Sequence, residues 1–524
     1  MKLAVIADTH LPDCADSAQE ASLRWALSAA AAAGADLVAL AGDLTAAGED
    51  GAAARLFDAL STSALPGVIT PGNADLRTPA TAADLRQRLS EPAGAAAGGI
   101  HVLGLDSADG AIGSAERARF QERLRQAGAA PVAVVTHWPP TEWPEDDRDW
   151  LTGVLRDTGV EVIIVGHKHL DAEREIAGIT VHLVRGLDPD KAKAAPPALS
   201  LFTREEGTWH RQDVAFPHAD PRTWPAERRQ EWLGLLGLSA MDRTLADTAR
   251  AADLAVPCLE LRADAAALAD PAALRQALQH WRAAGGRCLS MHLTNLRWDA
   301  AAEAVTGLPA WREGVRLAID LGVDQVTVHP PRGALGDLHP EGRPRDRCLQ
   351  ACAEALPPLI DAGVTVGVEN LHLARGEADD ARRTFGCLPD ECLGWIEALR
   401  QRLGSTGLQI GMHLDIGHAR NNGPLASRWT LGRWYASVGD QVVGYHLHQV
   451  TAAGNHQPID NPFGPFLSLA SFFWAWQAGQ LRPAPMFLEI RPDAAADSLK
   501  ALRAYLTDGD DPRQETTKPC RTDA

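Results

Sequence analysis

Five apolar runs in the first third of the chain end alike, in a short polar cluster carrying residues that can hold a metal. They are "KLAVIADTH", "LVALAGD", "GVITPGNAD", "VAVVTH" and "VIIVGHKH", and they deliver Asp8 and His10, Asp43, Asn73 and Asp75, His137, and His167 and His169. Runs of this length, separated by Ala/Leu/Arg-rich stretches of helical spacing, read as β/α units. Open α/β sheets place ligands at the carboxyl ends of their strands, so such a sheet would gather these side chains in one crevice. A lone His137 before "WPP" reads as an ordinary polar strand end; five such ends in order do not. Gly42, Gly72 and Gly166 let the backbone turn just before the ligating residues. A further strand is expected at "IHVLGLD" and a closing hairpin at "LSLFTREEGTWHRQDVAF".

The ordered set DTH, GD, GNAD, H, GHKH resembles the calcineurin-like metallophosphoesterase family over residues 1–216. The resemblance implies an α/β sandwich with two divalent ions (Mn, Fe or Zn), about 3.5–4 Å apart in such centres. It implies that Asp8, His10 and His169 bind one ion, that Asn73, His137 and His167 bind the other, and that Asp43 bridges them. Asp43 and Asn73 are thereby counted as catalytic, and the reaction implied is hydrolysis of a phosphate mono- or diester. Many relatives follow the asparagine with a histidine that protonates the leaving group; here Ala74 stands there, so that proton must come from another group or from water.

Residues 217–232, "PHADPRTWPAERRQEW", are polar, proline-bearing and unpatterned, and read as a linker. Beyond it, eight strand candidates alternate with helical stretches over 233–505, as a (β/α)8 barrel requires. They are "LGLLGLS", "PCLELR", "RCLSMHL", "QVTVH", "VTVGVEN", "LQIGMHLD", "QVVGYHLH" and "PMFLEIR". The tail, 506–524, is polar and expected to be disordered. The strand ends carry His292, His329, Glu369, Asp415 with His418 three residues on, His446 and Glu489, and His456 lies in the loop after the seventh strand. Three acids converging at one barrel mouth would repel without a cation. His413 and His448 are expected instead to be structural, bonded to backbone.

This half resembles the xylose isomerase-like barrel superfamily, which includes sugar isomerases, epimerases and endonucleases of the endonuclease IV type. The resemblance implies that Glu369, Asp415, His446 and Glu489 bind a divalent ion (Zn or Mn), with Glu369 and Glu489 moving protons on opposite faces of a sugar. In the endonuclease branch extra histidines hold further ions, and His292, His329, His418 and His456 match them. The aspartate expected two residues before His456 is Gly454, which leaves the number of ions at one or more.

The expected activity is therefore a metal-dependent phosphoesterase fused to a sugar or sugar-phosphate isomerase/epimerase-like barrel, acting on a small phosphorylated substrate. Nucleic-acid processing is the alternative, and a metal-stabilised scaffold a third. With 68 acidic against 50 basic residues, a net charge of −18 and no basic run, the chain offers little to a phosphate backbone. No apolar run approaches the ~18 residues of a membrane span. "MKLAVIADTH" reads as a first strand rather than a signal peptide, so a cytoplasmic protein is expected. The eight cysteines include no CxxC pair and read as reduced thiols.

Overall fold

A computed structural model describes residues 1–507 except 157, 242–243, 264–269, 374–375, 406, 452–453 and 465. The chain divides into two compact units. Of the described residues, one comprises Met1–Thr223 with Phe463–Trp474; the other comprises Trp224–Pro462 and 475–507.

In the first unit two sheets pack face to face. Lys2–Ile6, Leu37–Ala41 and Gly67–Thr70 run parallel, and the hairpin Ala198–Glu205/Thr208–Ala215 is added antiparallel to Lys2–Ile6. The second sheet runs Gly94–Ala97, Ile100–Leu105, Val132–Thr136, Val160–Val165, Ile179–Leu183, Ala172–Ile176, antiparallel only at its two edges. Strand periodicity explains the layering. Leu3, Val5, Ala39, Val135, Val162 and Ile164 fill the space between the sheets. Their alternating neighbours Ala4, Ile6, Val38 and Leu40 face the helices Ala18–Ala32 and Asp50–Ser61. Ser17 caps the first of these helices by accepting from Glu20 N at 3.1 Å.

The second unit is built on a closed barrel of eight parallel strands: Leu236–Ser239, Cys258–Arg262, Cys288–His292, Gln325–Val328, Thr365–Glu369, Ile410–Asp415, Val442–Leu447 and Met486–Leu488. Each falls within one of the eight expected runs. Outward residues such as Leu259, Leu261, Val326, Val328, Met412 and Leu414 are buried under the helices. The inward set is polar. Glu260 accepts from Ser239 at 2.7 Å, Ser290 at 3.3 Å and Thr327 at 2.7 Å, and pairs with His446 at 2.7 Å. Only an inward side chain can meet partners from the first, third, fourth and seventh strands at once.

Some expectations change. The stretch 217–232 is not patternless: it holds two short 3-10 turns, Pro217–Ala219 and Pro221–Thr223, and Pro225 opens a helix, Ala226–Leu233, around buried Trp232. The last helix, Pro492–Thr507, runs two residues into the expected tail, whose remainder, 508–524, lies outside the described residues. The edge strand Gly94–Ala97, "GAAA", and the strands Ala172–Ile176 and Ile179–Leu183 were not anticipated. The seven described cysteines form no disulfide. Among the described residues no helix is long and apolar enough to cross a membrane.

Candidate metal centres

The strand ends of the first unit converge. Asp43 lies at the middle, with Oδ2 3.5 Å from His10 Nε2 and Oδ1 3.3 Å from His137 Nε2. On one side His10 Nε2 and His169 Nε2 are 3.4 Å apart, their rings stacked at 11°, and His169 Nε2 is 3.7 Å from Asp8. On the other side His137 Nε2 is 3.2 Å from both Asn73 Oδ1 and His167 Nδ1. Every expected residue of this half is present in one of the two groups. Donor atoms about 2.0–2.2 Å from a common ion stand at about this separation from one another. Two imidazole nitrogens aimed at each other across 3.4 Å, beside two carboxylates, suit a cation between them.

The surroundings hold this arrangement. Asp75, the acid of "GNAD", accepts from Gly72 N, Leu44 N and Thr45 N at 2.9, 3.2 and 2.7 Å, so it ties two ligand loops together. Ala74 N donates to Asp43 at 2.6 Å. Gly42 is required: its φ is +78°, and a Cβ there would lie 2.6 Å from His137 Nδ1. Trp138 of "WPP" stacks on His167 with centroids 3.7 Å apart. Lys191 approaches His10 Nδ1 to 2.9 Å.

Charge is distributed unevenly. Burial works against the charge on Asp43, yet His137 and His10 hold its carboxylate well below the usual range. Burial and the field of Asp43 raise Asp8 to about 7. Burial opposes protonation of His137, but Asp43 and Asp8 outweigh it and raise that ring to about 9. Burial pushes His167 down to about 4, and burial with Lys191 lowers His10 and His169. A cation here would take the place of the proton on His137 and shield the acids.

At the barrel mouth Glu369 is central and fully buried. Its Oε2 is 3.0 Å from His292 Nε2 and 3.0 Å from His329 Nε2; its Oε1 is 3.0 Å from His446 Nδ1. Glu489 Oε2 lies 3.2 Å from His446 Nδ1 and 3.4 Å from His456 Nδ1, and the Arg262 guanidinium bonds to Glu489. Asp415 joins His418 at 3.2 Å and His448 at 3.0 Å. His418, His448 and His456 bring ring nitrogens within 4.8 Å of one another. All eight expected residues of this half come together.

Tautomers reveal which nitrogens are available. Nδ1–H of His137, His292 and His418 donates to a backbone carbonyl, of Ala41, Leu293 and Asn370 respectively, at 2.9, 2.8 and 3.1 Å. Asn295 holds His329 at Nδ1. Burial first, then Arg262, lowers His292, so the ring is neutral and its Nε2 lone pair faces Glu369. A lone pair facing a carboxylate at 3.0 Å is repulsive unless a cation lies between, and carbonyl-anchored imidazole is the common form of a metal ligand. The donor set fits a divalent ion.

Two side chains differ from expectation. His448 does contact backbone, at Gln449 O, but its Nε2 meets Asp415, placing it among candidate ligands. His413 bonds side chains, Gln325 and Thr327 at 3.2 Å, rather than backbone. Glu260, Arg262 and His372 were missed. An acid inside an apolar strand, "CLELR", was the available signal for the first two. Glu260 with His413 and His446 could also be read as a metal group, but four partners already occupy the Glu260 oxygens. It is better described as the anchor of His446 Nε2. Burial opposes charge on His446, yet Glu489, Glu260 and Glu369 raise it well above the ordinary histidine range.

Residues 1–171 match the family model of calcineurin-like phosphoesterases, and residues 248–505 match that of the xylose isomerase-like TIM barrel. No curated protein matches the chain. Among solved structures, a dimetal phosphatase from Danio rerio is 12% identical, covering 41% of this chain and 97% of its own, at a TM-score of 0.34. Endonuclease IV from Thermus thermophilus is 20% identical, covering 52% and 99%, at 0.35. A 3-keto-D-glucoside 4-epimerase from E. coli is 12% identical, covering 52% and 99%, at 0.35. The chain thus joins a calcineurin-like phosphoesterase region to a xylose isomerase-like TIM barrel.

Proposed function

We propose that the first unit hydrolyses a phosphate ester at a dinuclear centre and that the barrel acts on a sugar or sugar phosphate through its own divalent ion or ions. The observation that carries the first half is Asp43, whose two oxygens are divided between the His10 and His137 groups. Divalent ions bound there would supply an activated water and take up charge growing on the phosphoryl oxygens. Asp8, His10 and His169 hold one side, Asn73, His137 and His167 the other. Ala74 offers no side-chain proton, so its role is the backbone N–H that fixes Asp43.

In the barrel, Glu369 and Glu489 approach His446 Nδ1 together, and Glu260 fixes the far nitrogen of that ring. Burial opposes ionisation of Glu489, but His446 and Arg262 lower it to about 2, so it is an anion suited to hold a cation beside His446, and its taking a proton from a sugar is the role the family resemblance implies. Asp415 and His446 complete the set for one ion.

A second reading, cleavage of a nucleic-acid phosphodiester, is favoured by one observation. His292 and His329 on Glu369, with His418, His448 and His456 around Asp415, exceed what one ion needs.

The test uses the whole chain, with aryl phosphate monoesters and diesters, with and without manganese. Asp43→Asn is expected to lower hydrolysis on the order of a hundredfold or more. Glu369→Gln is expected to leave hydrolysis near the parent rate while lowering the bound transition metal per chain. Parent-rate hydrolysis by Asp43→Asn, or unchanged metal content in Glu369→Gln, would sink the corresponding half.

A further inference from the structure

Beside the barrel centre, two arginines stand opposite each other, each without an ion pair among the described residues, with the buried Glu369 carboxylate acting on Arg332 from a distance. Arg297 follows His292 by five residues and Arg332 follows His329 by three, so they belong to the loops after the third and fourth barrel strands. A parallel β-bridge pairs them directly, with Trp298 N donating to Arg332 O at 2.9 Å and Arg332 N to Leu296 O at 2.8 Å. Opposed like charges are destabilising, and in a chain of net charge −18 carboxylates were freely available to relieve them. Among the described residues, neither guanidinium meets a carboxylate. Arg332 also lines a cavity of about 390 Å³ with Gly333, His372, Arg382 and Thr384. One residue of its lining, His372, touches the candidate metal cluster. His372 lies three residues after Glu369, its ring stacks on His418 at 4.6 Å, and Asn455 holds it at 3.1 Å. Arg382 is already paired with Asp380, whereas among the described residues Arg297 and Arg332 have no ion pair.

We propose that Arg297 and Arg332 form an anion subsite that takes the phosphate group of a sugar phosphate, whose sugar then reaches the Glu369 centre. The proposal rests on the sugar-phosphate reading above and narrows it to a phosphorylated sugar. The chemistry fits. Two planar guanidinium forks match the geometry of phosphate oxygens and can bind them bidentately, and an anion between them removes their mutual repulsion. Burial, with Arg297 beside it, already lowers the pKa of Arg332, a penalty that a bound phosphate would reverse. A single phosphate needs no more than this pair, whereas a duplex backbone needs a longer basic track, for which the sequence has no run.

The experiment reads each arginine separately. The whole chain is modified with phenylglyoxal, and the modification rates of Arg297, Arg332 and the exposed Arg174 are followed by peptide mass spectrometry. Inorganic phosphate, ribose 5-phosphate, ribose and an abasic-site duplex serve as protectants. Saturating ribose 5-phosphate or inorganic phosphate is expected to slow modification of Arg297 and Arg332 by about tenfold or more and to leave Arg174 unchanged; ribose is expected to protect neither. Arg332→Ala is expected to remove the protection of Arg297. The proposal is overturned if the phosphate ligands do not protect, if they protect Arg174 equally, or if protection of Arg297 survives Arg332→Ala. Protection by the duplex alone, lost steeply with salt, overturns the sugar-phosphate assignment in favour of a nucleic-acid backbone. Protection needs neither turnover nor bound metal, so an inactive barrel would count against the catalytic reading and not against this subsite.

Discussion

His137 and His292 share a device: a backbone carbonyl takes the Nδ1 proton and leaves Nε2 for the centre. His446 is oriented the other way round, by Glu260 at Nε2, so that Nδ1 faces Glu369 and Glu489. Removing such an orienting partner commonly costs about 10–100-fold in metal affinity or activity. Glu260→Gln is therefore expected to weaken metal retention by the whole chain by that order, with aryl phosphate hydrolysis unaffected. Equal retention under a chelator titration would reduce Glu260 to packing. Asp188 gives a pH test at the same scale. Burial and neighbouring Asp190 raise it to about 7, against a usual value of about 3.9. Between those values the folded chain keeps a proton that the unfolded chain has lost. The stability from this group is thus complete below about pH 4 and is lost as pH rises through 7. Asp188→Asn keeps an acceptor for Gln19, 2.9 Å away, without the charge. Its urea midpoint relative to the parent should rise between pH 5 and pH 8. A difference that is the same at both would mean that Asp188 does not titrate in this window.

At the scale of elements, the centres sit where regular structure stops. Asp8, His10, Asp43, His167, His169 and His456 all have positive φ, from 45° to 71°. Such conformations cost of order 1–3 kcal/mol for ordinary residues and persist only where surrounding structure imposes them. For the five in the first unit the imposing structure is the pair of sheets, whose buried strands end abruptly at these residues. Gly42 is the position where the turn has no tolerance. Gly42→Ala places a Cβ against His137 in a left-handed conformation, and is expected to lower stability by about 1–3 kcal/mol and to abolish most aryl phosphate hydrolysis. An active variant with an unchanged unfolding midpoint would show that this turn is not under such constraint. The strands that carry the candidate site residues were readable because alternation and length mark them. The edge strand Gly94–Ala97 was not, because alanine and glycine carry no periodicity and only pairing with Ile100–Leu105 makes it a strand.

For the molecule as a whole, charge separates the two functional readings. Binding to DNA through six or more phosphates should weaken by about 10³-fold or more between 50 and 200 mM salt, whereas a small phosphorylated sugar should show a shallow dependence. With 68 acidic and 50 basic residues, no incision of abasic-site duplex is expected at physiological salt. Tight, steeply salt-dependent binding with cleavage would promote the nucleic-acid reading. The two architectures, and the residues that gather into the two candidate clusters, were legible in the sequence alone, because a polar residue at a strand end is announced by the apolar run before it. Tertiary structure alone decided the rest. That Asp43 divides its oxygens between two groups, that His448 belongs with His418 and His456, and that Glu260 anchors His446 all depend on distances between residues 8 to 186 positions apart. The opposed pair Arg297 and Arg332 was hidden for the same reason. A one-dimensional pattern shows which face of a strand a residue occupies, but only the closed barrel and its loops determine what it meets there.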